Sequence, residues 1–331
     1  MPKKNFIPPI KWGIIGCGAV TEVKSGPAYQ QTPHFKLQGV MSRNMDKAAD
    51  YAKRHGVAKV YANAQDLIEA PEIDAVYIAT PPDTHKFYAL KVADAGKSCC
   101  IEKPMAPTYA DGLEIYKRFS AKELPLFVAY YRRSLPRFLK IKEWLDEKKI
   151  GSVRQLCWQF SRPPKEVDLE KSYNWRTDAL IAPGGYFDDL ASHGLDLFAY
   201  LLGEMEEVQG TSLNQQGLYT AKDAVAACWK HKSGVLGNAS WNFGAYARED
   251  KVTIMGSDGS IEFSVFKEQE LILETNEGVI RKFIENPHHV QQYHVDNIRA
   301  HLLENREHPS LGRSGLHTSW IMDRILGQGD V

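Results

Sequence analysis

The chain has 331 residues, 43% of them hydrophobic and 25% charged, and its 41 basic residues are balanced by 41 acidic ones. A neutral balance without a basic stripe argues against a nucleic acid partner, and no apolar run approaches the roughly 18 residues needed to cross a bilayer. The length fits two domains, and the five scattered cysteines, with no CxxC pair, read as reduced thiols of a cytoplasmic protein; the N-terminal "MPKKNFIPPIKWG" lacks the apolar stretch of a secretory signal.

In chain order, "IKWGIIG" (10–16), "LQGVMS" (37–42), "DAVYIAT" (74–80), "SCCIE" (98–102) and "LPLFVAY" (124–130) read as strands. Helices are predicted between them: "NMDKAADYAKRHG", stopped by Gly56; "DTHKFYALKVADAG", with Asp83 as cap and Gly96 as stop; and "TYADGLEIYKRFSAKE". This alternation predicts an α/β domain over residues 1–130, a Rossmann-type doubly wound parallel sheet. From residue 131 the texture changes. A helix, "PRFLKIKEWLDEKKIG", precedes the alternating strand "SVRQLCWQFS", and a second helix is expected over 184–203. From 205 onward short strands dominate, separated by the turn signals "HKSG", "SDGS" and "TNEG". The expectation for 131–331 is an α+β domain on a large, mainly antiparallel open sheet. With no flexible tether between them, the two domains are expected to share a cleft.

"GIIGCGAVTEV" sets Gly16 and Gly18 directly after the first strand. Gly16 permits a tight turn, and Gly18 lets the backbone approach a pyrophosphate at a helix N-terminus. The third position of the fingerprint is Thr21, so the motif is incomplete. After the second strand, where an acid would bind the ribose of NAD, stand Ser42, Arg43 and Asn44. A hydroxyl and a guanidinium suit a 2′-phosphate, which favours NADP while leaving NAD open. "ATPPDTH" follows the "DAVYIAT" strand, with Thr80 and His85 as cofactor neighbours; His85 also fits a first-turn residue facing water.

The charged triplet Glu102-Lys103-Pro104 leaves the core just after "SCCI". In isolation it is a solvated strand end. Over 184–203, apolar residues cover most of the helix, yet Asp189 and His193 stand four apart on one face, continued by Asp196 and Tyr200. The pair reads either as structural or as an imidazole oriented by a carboxylate for acid/base chemistry. As metal ligands the two lack a third at convincing spacing, so no metal is expected.

GCGAV, TPPDTH, EKP and GGYFDDLASH, in that order and with Trp175-Arg176 ahead, together resemble the Gfo/Idh/MocA family of sugar and polyol oxidoreductases. The resemblance spans nearly the whole chain, with departures at Thr21 and at Pro183, where many members carry glycine. It implies that Lys103 points beside the nicotinamide, aimed by a Lys103–Pro104 bond that is often cis in the family. His193 would exchange the hydroxyl proton, Asp189 would orient substrate and imidazole, and the Lys103 ammonium would stabilise oxyanion charge. Cofactor contacts are expected from Gly16, Gly18, Ala19, Val20, Ser42, Arg43, Thr80, Pro81, Pro82, His85, Glu102, Lys103, Trp175 and Arg176. Substrate contacts are expected from Lys103, Tyr130, Arg132, Arg176, Asp189 and His193, with Tyr131 and Arg133 also at the crossover between domains; an interdomain hinge packed for stability is the other reading of that stretch.

The implied function is an NADP- or NAD-dependent oxidoreductase. It would pass hydride between nicotinamide and a carbinol or carbonyl carbon of a sugar, sugar derivative or cyclic polyol. Two other readings stay open: a glycoside-processing enzyme that forms a keto-sugar with a tightly bound, recycled NAD, and a non-catalytic nucleotide or sugar sensor. A homodimer or homotetramer is expected through the C-terminal sheet, where Trp241, Phe243, Phe263 and Phe266 would otherwise leave an exposed patch.

Overall fold

The computed structural model describes residues 6–328. They divide into two compact units. One is formed by the chain up to Ala106 with Ala110–Ser134 and Pro287–Leu316, the other by Pro107–Tyr109, Leu135–Asn286 and the chain from His317 onward.

The first unit runs β1 (Ile10–Ile15), α1 (Gly26–Gln31), β2 (Phe35–Met41), α2 (Met45–His55), β3 (Lys59–Val60), α3 (Ala64–Glu69), β4 (Ala75–Ile78), α4 (His85–Asp94), β5 (Ser98–Ile101), α5 (Tyr109–Ala121) and β6 (Leu126–Val128). The strands form one sheet in the order β3-β2-β1-β4-β5-β6, and every pairing is parallel. Every residue of β4 and β5 is buried, as a sheet covered on both faces requires. Trp12, Tyr29 and Tyr77 fill the core ring on ring, with centroids 4.7 and 5.0 Å apart. The strand order reverses between β1 and β4, which opens a crevice at the carboxyl ends of these strands. Helix α2 ends at Gly56, whose φ of 63° supplies the left-handed cap. Asp83 does not cap α4 as expected. Pro82 opens a 3₁₀ turn over Pro82–Thr84, which moves the helix start past Asp83 and leaves that residue exposed.

The second unit runs α6 (Pro136–Asp146), β7 (Val153–Ser161), α7 (Glu166–Leu169), α8 (Tyr186–Leu202), β8 (Met205–Leu213), β9 (Ala224–His231), β10 (Leu236–Asn242), β11 (Glu249–Gly256), β12 (Gly259–Phe263), β13 (Leu271–Thr275) and β14 (Gly278–Lys282). Its eight strands lie in the order β14-β13-β12-β11-β7-β10-β9-β8, antiparallel except for β7 beside β10. Along β7 the residues Leu156, Trp158 and Phe160 are buried and their neighbours are not, so one sheet face is covered and the other is open. The covering elements are α8, whose Phe187 and Phe198 pack edge-on to Trp241 and Trp158, and α6, whose Phe138 meets Phe263.

Two expectations are corrected here. Trp241, Phe243 and Phe263 do not form an exposed patch: each is at most 1% exposed, because the strand alternation turns them under α6 and α8. The second unit is also not the continuous stretch 131–331. Two helices absent from the sequence reading, α9 (Gln292–Leu303) and α10 (Gly312–Leu326), close the chain, and residues 287–316 return to the first unit. There Val295 and Ile298 of α9 enter the core around Trp12.

Candidate active site

At the carboxyl ends of β1, β2 and β4 lies a cavity of about 180 Å³. Gly16, Gly18, Ser42, Arg43, Thr80 and Pro81 line it, together with Lys47, Thr84 and Tyr88. Gly16 has a φ of 109°, and a Cβ there would stand 2.6 Å from the Ala79 carbonyl oxygen, so only glycine lets β1 turn so close to β4. A Cβ on Gly18 would meet nothing within 4 Å, which leaves open space above its backbone. Thr21 replaces the third glycine of the fingerprint and pins the loop instead. Its hydroxyl donates to the Gly18 carbonyl at 2.8 Å, and its own carbonyl accepts from Tyr51 Oη at 3.0 Å. The close approach expected of a third glycine falls at Gly26, where a Cβ would lie 2.3 Å from the Thr21 carbonyl oxygen. This lining fits a dinucleotide: bare backbone for the pyrophosphate, and Arg43, Lys47 and Ser42 on the rim with no carboxylate among the described lining residues.

The triplet after β5 is tied into the same unit. Glu102 is 7% exposed and is no solvated end. Its carboxylate accepts from Tyr77 Oη, from Gln291 Nε2 at 2.7 Å and from the Lys103 backbone N–H at 3.2 Å. Lys103 is half-buried, and the Lys103–Pro104 peptide is cis. His85 is fully buried, so the water-facing reading is corrected. Its Nδ1 lies 3.0 Å from the Pro104 carbonyl oxygen and its Nε2 2.9 Å from that of Thr80, bracing the loop after β4 against the loop after β5. Burial lowers its pKa, opposed by the two carbonyl contacts.

In the second unit α8 carries the polar stripe. Tyr186, Asp189 and His193 are three and seven positions along one helical face. His193 is 5% exposed, and its ring sits edge-on to Phe266 at 6.1 Å. Asp189 accepts from Arg176 Nε at 3.0 Å, and the Arg176 guanidinium lies 4.3 Å from the Trp175 ring. Asp188, one residue earlier, faces inward and accepts from the Gly184 N–H at 2.8 Å. Burial pushes its pKa up to about 7, with Asp323 and Asp189 adding to the rise. Two further cations gather over Tyr186. The Arg162 guanidinium is 3.9 Å and the Lys165 ammonium 4.6 Å from its ring centroid.

The "Oxidoreductase family, NAD-binding Rossmann fold" profile matches residues 10–130, and the "GFO/IDH/MocA C-terminal domain" profile matches residues 138–262. The chain belongs to the Gfo/Idh/MocA oxidoreductase family. It is 39% identical to Oxidoreductase P35 of Formosa agariphila over 96% of this chain and 98% of that one. It is 27% identical to a myo-inositol 2-dehydrogenase of Thermotoga maritima, over 80% and 78% of the two chains. The solved structure of a levoglucosan dehydrogenase in complex with NADH superposes with a TM-score of 0.85 at 22% identity, covering 96% of each chain, which establishes the shared fold.

In this Gfo/Idh/MocA chain the expected cofactor residues separate into three groups. Six line the cavity, whereas Ala19, Val20, Pro82, His85, Glu102 and Lys103 are in the same unit but not on its lining. Trp175 and Arg176 belong to the second unit, beside Asp189. Tyr130 and Arg132 are 1% and 6% exposed at the end of the first unit, where the Arg132 guanidinium stacks 5.0 Å from the Tyr131 ring. Sequence reading missed Lys47, whose signal was its place in the first turn of α2, and Arg162 and Lys165, whose signal was basic residues just past the end of β7. Among the described residues no group of three or more His, Cys, Asp or Glu could hold a metal ion, and no helix is long and apolar enough to cross a membrane.

Proposed function

We propose that the chain is an NADP-preferring oxidoreductase acting on a CH–OH or carbonyl carbon of a sugar, sugar derivative or cyclic polyol. The observation that carries this reading is the α8 stripe, a buried imidazole with a carboxylate one turn away on the same face. The polyol in the name of the myo-inositol 2-dehydrogenase relative supports the substrate class. When bound, the nicotinamide supplies the hydride chemistry. His193 takes or gives the hydroxyl proton, Lys103 stabilises charge on the substrate oxygen, and Asp189, steadied by Arg176, orients the substrate. The preference for NADP is supported by Ser42, Arg43 and Lys47 on the cavity lining, with no carboxylate among the described lining residues to bind a ribose 2′-OH.

A panel of sugars and polyols with NADP and NAD, followed by absorbance of the reduced nicotinamide, identifies the substrate. Single-turnover hydride transfer then tests the residues. Lys103→Met and His193→Asn are each expected to slow transfer by about 10²–10⁴-fold with cofactor affinity unchanged. The double variant should cost less than the product of the two, as residues acting on one substrate do. Transfer at the wild-type rate in Lys103→Met would sink the assignment.

We also propose that copies of the chain pair through the second sheet. Its uncovered face supports this, since the same alternation that buries Trp241 leaves Leu236 and Met255 exposed. A light-scattering mass near the single-chain 37.3 kDa at micromolar concentration would remove the idea.

A further inference from the structure

We propose that the substrate is a sugar acid whose carboxylate is held by Arg162 and Lys165 over the ring of Tyr186. This rests on the hydride-transfer reading above and names the substrate class for it.

The argument starts from unpaired charge. Among the described residues neither Arg162 nor Lys165 has an ion-pair partner, although two carboxylates are close by. Asp168 is turned to other donors: it accepts from Tyr186 Oη at 2.7 and 3.0 Å and from the Lys165 backbone N–H at 3.2 Å. Asp189 is held by Arg176. The Nε and Nη2 atoms of Arg162 are buried and find no acceptor. Lys165 is pushed towards its neutral form by burial first, then by the neighbouring Arg162 and Arg176. Lys165 is an exposed side chain, but the two Arg162 nitrogens are closed off from water with no anion to meet them, which destabilises the unliganded protein. Such an arrangement marks a place where an anion arrives.

The geometry selects the anion. Nε and Nη2 form one edge of the guanidinium, with two parallel N–H donors that match the two oxygens of a carboxylate. Three cations (Arg162, Lys165, Arg176) against two carboxylates (Asp168, Asp189) leave a local charge of +1, which suits a monoanion better than a phosphate dianion. The position suits a sugar. At about 1.5 Å of rise per residue, Asp189 is about 6 Å along the α8 axis from His193, and Tyr186 about 10 Å. A pyranose held with one hydroxyl at His193 would therefore extend its exocyclic carboxylate towards the cations over Tyr186, with Asp189 alongside the ring.

The test is calorimetric binding, with and without saturating NADPH. The probes are hexuronates of gluco, galacto, manno, gulo and ido configuration, each paired with its neutral hexose, plus the corresponding hexose 6-phosphates. At least one hexuronate is expected to bind about tenfold or more tighter than its neutral partner, the ratio of one charge-assisted hydrogen bond. That preference should disappear in Arg162→Met and Lys165→Met and shrink in Arg162→Lys, which keeps the charge but not the fork. NADPH affinity and the circular dichroism spectrum should stay unchanged in all three, which separates loss of the subsite from loss of the fold. Equal affinity for uronates and neutral hexoses, binding of the phosphate esters alone, or a uronate preference that survives both methionine variants would each overturn the proposal. Because binding is read without turnover, a uronate that binds but is never oxidised would overturn the hydride-transfer reading and leave the anion subsite standing.

Discussion

Arg43 and Lys47 are both exposed at the rim of the dinucleotide cavity, one in the loop after β2 and the other in the first turn of α2. The α2 cap fixes their relation, since Asn44 Oδ1 accepts from the Lys47 backbone N–H at 2.9 Å and holds the turn that separates them. A 2′-phosphate would meet a planar fork from Arg43 and a point charge from Lys47. Arg43→Ala is expected to weaken NADP by roughly 1.5–3 kcal/mol, with Lys47→Ala acting in the same direction and NAD little changed in either. Direct titration of both cofactors checks this, and a wild type that binds NAD more tightly would refute the reading of the rim. The residue scale also shows where sequence runs out. Asp188 and Asp189 are adjacent and chemically identical, yet one is buried with a pKa raised to about 7 and the other accepts from Arg176. The turn of the helix between neighbours makes that difference, and it became visible only once the packing of α8 was known.

Among the elements, α8 is the one whose fit matters most for chemistry. Gly194 follows His193 and lies against the indole of Trp158; a Cβ there would stand 2.3 Å from the ring. Gly194→Ala must push α8 away from β7 or rotate the indole, a change of the kind that costs about 1–3 kcal/mol. We expect a lower melting temperature and a slower hydride step together, measured by thermal unfolding and single-turnover kinetics. An unchanged rate would mean that the seating of α8 does not set the position of His193. This helix was legible in sequence because its polar residues interrupt an otherwise apolar circumference at helical spacing. By contrast α9 escaped notice. Its residues are mixed all round, with His294 and Val295 buried and Tyr293 exposed, so no stripe announces it until it packs against the Rossmann core.

Across the whole molecule, His85, His231, His294 and His308 are buried and have lowered pKa values, that of His294 falling to about 3. In each case the folded state binds fewer protons than the unfolded chain below the ordinary histidine range. Stability is therefore present above about pH 6.5 and lost as pH falls below it, by up to about 1.4 kcal/mol per pH unit for each histidine. Asp188 acts in the opposite sense, because its raised pKa favours the folded state as pH falls below about 7. Four groups outweigh one, so the melting temperature should drop steeply between pH 6 and pH 4, and His294→Gln should flatten the curve. A melting temperature independent of pH over that range would contradict the burial of these rings as the controlling term.

Local sequence determined much of this protein. Apolar runs bounded by turn signals marked the strands, the alternation of strand and helix specified the parallel sheet, and Gly16, Gly18, Lys103, Asp189 and His193 stood in motifs short enough to read directly. These features depend on backbone sterics and on side-chain periodicity within a few residues, which one chain segment carries by itself. Tertiary structure decided the rest: the return of residues 287–316 to the first unit, the burial of Trp241 and Phe263 under helices, His85 as a brace between two loops, and the gathering of Arg162 and Lys165 over one tyrosine. Each of these depends on which distant surfaces meet. Burial and electrostatics are set by that meeting, because the dielectric and the neighbours of a side chain are properties of the packed fold and not of its place in the chain.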